Sequence, residues 1–343
     1  PAGRAANAVL EAARSSIAQA IGAAPEQWVW TSGGTEAITL AIHGLAGTTP
    51  GSIVISAVEH AAVHTAAAAV AERGDEVRVA PVHRDGSIDL EALGPLLDER
   101  TRIVATMLAN NEVGAINDLA AIGALVRRRA PRARWVVDAV QGFGKIDLDV
   151  GQIGCDALIA AAHKVHGPKG IGGLYLRQPE VLRPMIPGAG QESGLRGGTP
   201  NAPLAWGFAE ALRLQIADPR CGHMTMLSHR LLGGLQASIE GVELIGPPVG
   251  PLRLPNVLSV LVRGVPSGPL VNALAEAGLC VSAGSACTAA QKGTSKVFIA
   301  IGRTGAEGAF LRFSFGRQSS EAEVDGAVER MVTAVAMLRD VYG

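Results

Sequence analysis

The sequence predicts an α/β fold, a large domain on a mostly parallel sheet flanked by helices, followed by a smaller α+β domain. Two observations predict it. Short β-branched runs alternate with helical stretches through the first half of the chain, the pattern of strand–helix–strand units. After Asp218-Pro219-Arg220 the pattern changes to long helices separated by few strands, which marks a hinge and places the domains at 1–220 and 221–343.

The elements follow in order. Leu10, Ala13, Ile17 and Ile21 recur at helical spacing, so 7–21 reads as an amphipathic helix. Runs at 28–31, 52–56, 76–79, 101–108, 134–138, 157–160 and 172–176 read as strands. The intervening stretches at 36–45, 61–73, 90–97 and 119–129 read as helices, and another covers 202–216. Beyond the hinge, helices are expected at 224–239, 270–277 and 321–338, with strands at 258–262 and 311–315. In an open α/β sheet, functional residues gather beyond the carboxyl ends of the strands.

Composition excludes several classes. Hydrophobic residues make up 48% and charged residues 18%, the balance of a folded globular chain. Net charge is -1 and the longest basic run is Arg127-Arg128-Arg129, so no phosphate-binding footprint for nucleic acid is present. No apolar run reaches the roughly 18–20 residues that cross a bilayer. The first residues lack a signal-peptide pattern, and since residue 1 is Pro, the reading expects a start that is cleaved or missing. Cys155, Cys221, Cys280 and Cys287 form neither a CxxC pair nor a metal-ligand spacing, which implies free thiols, no metal, and a reducing, cytoplasmic setting.

Five features could carry chemistry. Thr31-Ser32-Gly33-Gly34-Thr35-Glu36 joins a strand to a helix, where glycines and unpaired N–H groups can receive an anion; a plain tight turn is the alternative. Asp138 ends the apolar run Trp135-Val136-Val137 and could bind a cation or cap a helix. His163-Lys164 follows the apolar run at 157–162. A lysine leaving a buried strand is poorly solvated, so its pKa falls and it can form a Schiff base; a snorkelling surface lysine is the alternative. Cys287 sits among small residues, Gly284-Ser285-Ala286-Cys287-Thr288, suiting an accessible thiol on a loop rather than a core cysteine. Arg312 alternates with apolar residues and could grip a carboxylate bidentately or face solvent.

Taken together and in order, these segments resemble the NifS- and IscS-like cysteine desulfurases, class-V aminotransferase relatives within the fold-type-I pyridoxal-phosphate enzymes. The likeness is carried by 31–36, Glu59-His60, Asn110-Asn111-Glu112-Val113-Gly114, Asp138 to Gln141, and 163–170. It continues through Gln191-Glu192, 196–199, 284–288 and 312–317, so it spans nearly the whole chain.

The resemblance implies a seven-stranded, mostly parallel sheet, pyridoxal 5′-phosphate as cofactor and L-cysteine as substrate. Lys164, Cys287 and His60 would be the catalytic set. Lys164 would hold the cofactor and move the Cα proton, His60 would stack on the ring, and Cys287 would take the sulfur as a persulfide. Asp138 would bind the ring nitrogen and Gln141 the ring hydroxyl. Gly34, Thr35 and His163 would bind the phosphate, with Thr199 supplied by the partner subunit of a homodimer. Asn111 and Arg312 would hold the substrate carboxylate. The Gly-Ser-Ala-Cys-Thr run is similar to that of the family group whose sulfur acceptors include iron–sulfur scaffold proteins.

Three departures accompany the resemblance. Ala161 replaces a serine that contacts the phosphate, removing a hydrogen bond worth about 0.5–1.5 kcal/mol. The family's N-terminal segment has no counterpart before Pro1, and Gln291-Lys292-Gly293-Thr294 differs from the expected loop. Two alternatives remain beside the desulfurase: another lyase or aminotransferase of the same fold, which needs no thiol, and a non-catalytic binding paralogue.

Overall fold

The computed structural model describes residues 1–283 and 295–342, which fall into two compact units. The first comprises 1–81, 88–109 and 117–219; the second comprises 82–87, 110–116 and 220–343.

The first unit opens with α1 (Ala2–Ala20), which buries Leu10, Ala13, Arg14, Ile17 and Ala18 along one stripe. β1 (Trp28–Thr31) leads into α2 (Gly34–Leu45), β2 (Ser52–Ser56) into α3 (Ala61–Ala71), and β3 (Glu76–Ala80) into α4 (Leu90–Leu93). Next come β4 (Thr101–Met107), α5 (Leu119–Arg129), β5 (Arg134–Asp138), α6 (Val150–Ile153), β6 (Ala157–Ala161), β7 (Gly172–Leu176) and α7 (Ala202–Ala217). The helix expected at 90–97 stops at Leu93 and continues as a 3₁₀ turn, because Pro95 has no N–H to donate and crowds the preceding turn.

The seven strands lie in the order β1-β7-β6-β5-β4-β2-β3. β7 is antiparallel to both neighbours, and the other described pairings are parallel. The fold class expected from the sequence is therefore observed. β5 and β6 are buried along nearly their whole length, which is why their sequences are continuous apolar runs rather than alternating ones. β7 begins Gly172-Gly173 for a packing reason: a Cβ at Gly172 would lie 2.7 Å from the Gly33 carbonyl carbon, and one at Gly173 would enter the Trp28 ring. Backbone thus packs directly against the loop that starts α2.

The second unit contains α8 (Cys221–Ser238), β8 (Val242–Ile245), β9 (Val257–Val262), α9 (Ser267–Glu276), α10 (Lys296–Ala300), β10 (Ala309–Ser314) and α11 (Glu321–Tyr342). Its antiparallel sheet, β10-β9-β8, is covered by leucines of α8 and α9 and the apolar side of α11. β8 has no counterpart among the strands expected from the sequence. Among the described residues, no helix is long and apolar enough to cross a membrane.

Candidate active site

The parallel strands end on one edge of the large sheet, and the chemistry-bearing residues follow those ends. Ser56 closes β2 and is followed by Glu59 and His60; Met107 closes β4, Asp138 closes β5, and the 3₁₀ turn Ala162–Lys164 follows β6. Met107 is in register with Asp138, and Asp138 with Ile159. His60 caps α3, its Nδ1 accepting the Ala62 N–H at 3.2 Å. That bond leaves Nε2 to carry the proton in the neutral ring.

Asp138 is 7% exposed and its Oδ1 accepts the Val140 N–H at 3.0 Å. Burial raises its pKa, opposed by that hydrogen bond and by the nearby His60 and Lys164. A buried carboxylate in this condition gains from a cation placed against it. The structure thus brings His60 and Lys164, from two other strand ends, within electrostatic reach of Asp138. Lys164 is half-buried, in a turn fixed by Val165 and Gly167 N–H groups donating to the Ala162 carbonyl. Lys145 braces the same region, its ammonium donating to the carbonyls of Gln141 and Lys164 at 2.9 Å each.

The loop after β1 presents the first turn of α2. Thr31 Oγ1 donates to the Gly33 carbonyl at 3.1 Å, and Gly34 and Thr35 open the helix where N–H groups lack intrahelical acceptors. A Cβ on Gly34 would come 3.1 Å from Val140 and 3.8 Å from the Ala161 methyl, so this loop packs beside the ends of β5 and β6. Glu36 accepts the Ser32 N–H at 2.7 Å and pairs with Arg196 at 2.7 and 3.2 Å. Burial would raise the Glu36 pKa, but Arg196 and Ser32 together hold it below its ordinary value. His163 is exposed, with its pKa lowered by partial burial and the charges of Lys164, Lys169 and Lys145. Gln141 is half-buried and Thr199 exposed.

The second unit holds the other expected pair. Arg312 on β10 donates to the Asn111 carbonyl at 2.8 Å and to Ser282 Oγ at 3.3 Å. Asn110 shapes this turn by accepting the Glu112 and Val113 N–H groups at 2.8 and 2.9 Å. Glu112, 4% exposed, accepts from Ser295 Oγ at 2.6 Å, while Ser259 donates to its carbonyl. Cys287 and the segment Gln291-Lys292-Gly293-Thr294 lie outside the described residues.

Several structural partners have no role assigned from the sequence. Arg14 forms a bidentate pair with Glu192 at 2.8 and 2.9 Å, and Glu192 also accepts the Trp30 N–H at 2.8 Å. The signal was an arginine on the buried stripe of an otherwise apolar helical face. Lys145 gave no signal, because both of its acceptors are backbone carbonyls. Among the described residues, no cluster of His, Cys, Asp or Glu is placed to hold a metal.

The Aminotransferase class-V family matches residues 2–326. The chain is 37% identical over 340 residues to a mitochondrial cysteine desulfurase of Eremothecium gossypii, covering 97% of this chain and 68% of that one. It is 36% identical over 341 residues to cysteine desulfurase IscS of Pseudomonas aeruginosa, covering 97% and 82%. Among solved structures, a NifS-like protein superposes with a TM-score of 0.90 at 33% identity, covering 98% and 90%. The sheet, the strand-end constellation and these matches agree: the chain belongs to the class-V aminotransferase family, whose cofactor is pyridoxal 5′-phosphate.

Proposed function

We propose that this protein is a cysteine desulfurase, converting L-cysteine to L-alanine and retaining the sulfur as a persulfide on Cys287. The observation that carries this reading is the convergence of Asp138, His60 and Lys164 in a chain whose curated relatives are named cysteine desulfurases.

The residues fit the cofactor. A buried carboxylate in need of a cation suits a protonated ring nitrogen, a lysine from the neighbouring strand end suits the aldehyde, and the α2 N-terminus suits the phosphate. When bound, pyridoxal 5′-phosphate supplies an electron sink for the substrate's Cα. Asp138 would hold a proton at the ring nitrogen, Gln141 would donate to the ring hydroxyl, and His60 would contact the ring. Gly34, Thr35 and His163 would bind the phosphate, with Thr199 contributed across a homodimer. Ala161 has no hydroxyl to add there, which leaves more of the phosphate's binding to the helix N-terminus.

Lys164 takes the proton from Cα, as a positioned amine can. The Cys287 thiolate attacks the substrate sulfur, forming an S–S bond. The Cβ–S bond breaks with its electron pair left on carbon; Cβ takes up a proton, Lys164 returns one to Cα, and the product leaves as alanine. Asn111 and Arg312 hold the substrate carboxylate. The sulfur passes to an acceptor such as an iron–sulfur scaffold protein, in the cytoplasm. The small residues around Cys287 support both its approach to substrate and its presentation to that acceptor.

The direct test supplies cysteine and a reductant to the purified chain and measures both products. Alanine and sulfide should appear in equal amounts; sulfide accompanied by pyruvate in place of alanine would reassign the reaction to β-elimination. Arg312→Lys should lower kcat/KM for cysteine by roughly 10- to 150-fold, the equivalent of a charged hydrogen bond worth about 1.5–3 kcal/mol. Steady-state kinetics should show the loss mainly in KM.

A further inference from the structure

Glu59 precedes His60, yet its side chain turns into the protein and is 4% exposed. Oε1 accepts two donors, the Ser56 hydroxyl at 2.5 Å and the Met107 N–H at 2.8 Å. Oε2 is buried and meets no hydrogen-bond partner among the described residues. Ser56 closes β2 and Met107 closes β4, in register with Asp138 on β5. The carboxyl is therefore fastened to the end of β4, which neighbours Asp138 on β5, and to the end of β2 beyond it.

This distribution of donors separates two chemical states. A buried carboxylate ion spreads its charge over both oxygens and needs donors at each. A neutral acid needs acceptance only at its carbonyl oxygen, and its hydroxyl brings a donor of its own. Two donors on Oε1 and no partner on Oε2 favour the neutral acid, because a buried hydroxyl left unpaired costs less than an unpaired oxygen of a buried carboxylate ion. Repulsion acts in the same direction, since two neighbouring buried carboxyl groups do not both ionise without cost. Asp138 has the ammonium: Lys164 after β6 favours its charged form, as does His60 at the head of α3. Glu59 faces the Asp138 charge instead, and His64 lies one turn further along α3.

We propose that Glu59 is a positioning residue held as a neutral carboxylic acid, so that Asp138 is the anion at these strand ends and keeps the cofactor nitrogen. The proposal rests on the reading of Asp138 given above and adds the proton inventory of its neighbour. In support, burial, together with the charge of Asp138, pushes the Glu59 carboxyl up to about 8. The proton is accordingly retained at neutral pH and lost as pH rises through that value.

Infrared difference spectra between wild type and Glu59→Gln, both cofactor-loaded at neutral pH, test this. The expected result is a protonated-carboxyl carbonyl band present in wild type and absent from the variant, shifting in D2O. A difference containing only carboxylate bands overturns the proposal. The visible absorbance of the wild-type holoenzyme should also show a titration step near pH 8 that Glu59→Gln lacks, a change that a purely structural role does not produce. An identical titration in both proteins counts against it. Carbon-13 NMR of the wild-type holoenzyme labelled in glutamate needs no substitution: one side-chain carboxyl should remain at the neutral-acid position until about pH 8, and its absence overturns the proposal. Asp138→Asn separates the two readings. An unchanged visible band in that variant removes Asp138 from the ring nitrogen, whereas the infrared and carbon-13 signals report on Glu59 alone.

Discussion

Cys287→Ser is expected to bind its cofactor with the wild-type visible spectrum and to form no persulfide. A serine hydroxyl is not ionised at neutral pH and is a poor nucleophile towards sulfur, so loss of the thiolate removes the bond-forming partner. Sulfide release should fall by on the order of 10³-fold or more, within the scale seen when a covalent nucleophile is removed. Mass spectrometry after exposure to cysteine should find one added sulfur on Cys287 in wild type and none in the variant. The other cysteines sharpen the assignment. Cys155 is fully buried, and burial pushes its thiol up to about 12, so it stays protonated and unreactive. Cys280 is exposed and makes the useful control. Cys280→Ser should keep sulfur transfer; sulfide release that survived Cys287→Ser but not Cys280→Ser would move the chemistry to position 280.

Lys164→Ala should lose the yellow colour of the bound cofactor and nearly all turnover. Two functions disappear together, the covalent hold on the cofactor and proton transfer at the substrate's Cα. Positioned proton transfer alone is worth about 10²–10⁴-fold. The check is the visible spectrum after dialysis, followed by alanine production. An unchanged spectrum would falsify the role of Lys164. Fold should persist, because the backbone turn at 162–167 is held by main-chain hydrogen bonds that do not use the lysine side chain.

The parts of this fold that were legible in the sequence are those whose causes are local. β5 and β6 announce themselves because strands covered on both faces need uninterrupted apolar runs, and their last residues lead directly to Asp138 and Lys164. β8 was missed because Val242-Glu243-Leu244-Ile245 is short, half-buried and punctuated by a charge, so neither strand period stands out. The break in α4 needed only closer attention to Pro95. Long-range partners were out of reach: nothing near Arg14 in sequence points to Glu192, 178 residues away. Glu59 was visible as a neighbour of His60, but an acid before a histidine ordinarily reads as solvated. Its inward course depends on donors from β2 and β4 that only the folded sheet assembles.

The second unit is discontinuous in the chain, and this constrains the order in which a ribosome can complete it. Glu112 emerges 147 residues before Ser259, which donates to its carbonyl, and 183 residues before Ser295, which satisfies its carboxylate. At a synthesis rate of about 5–20 residues per second, that segment waits about 7–37 seconds for its partners. The nascent polypeptide must therefore shelter a buried-to-be acid and its turn until translation is almost finished. A gene fragment encoding only 220–343 would leave Ser259 and Ser295 without the Glu112 acceptors they use here.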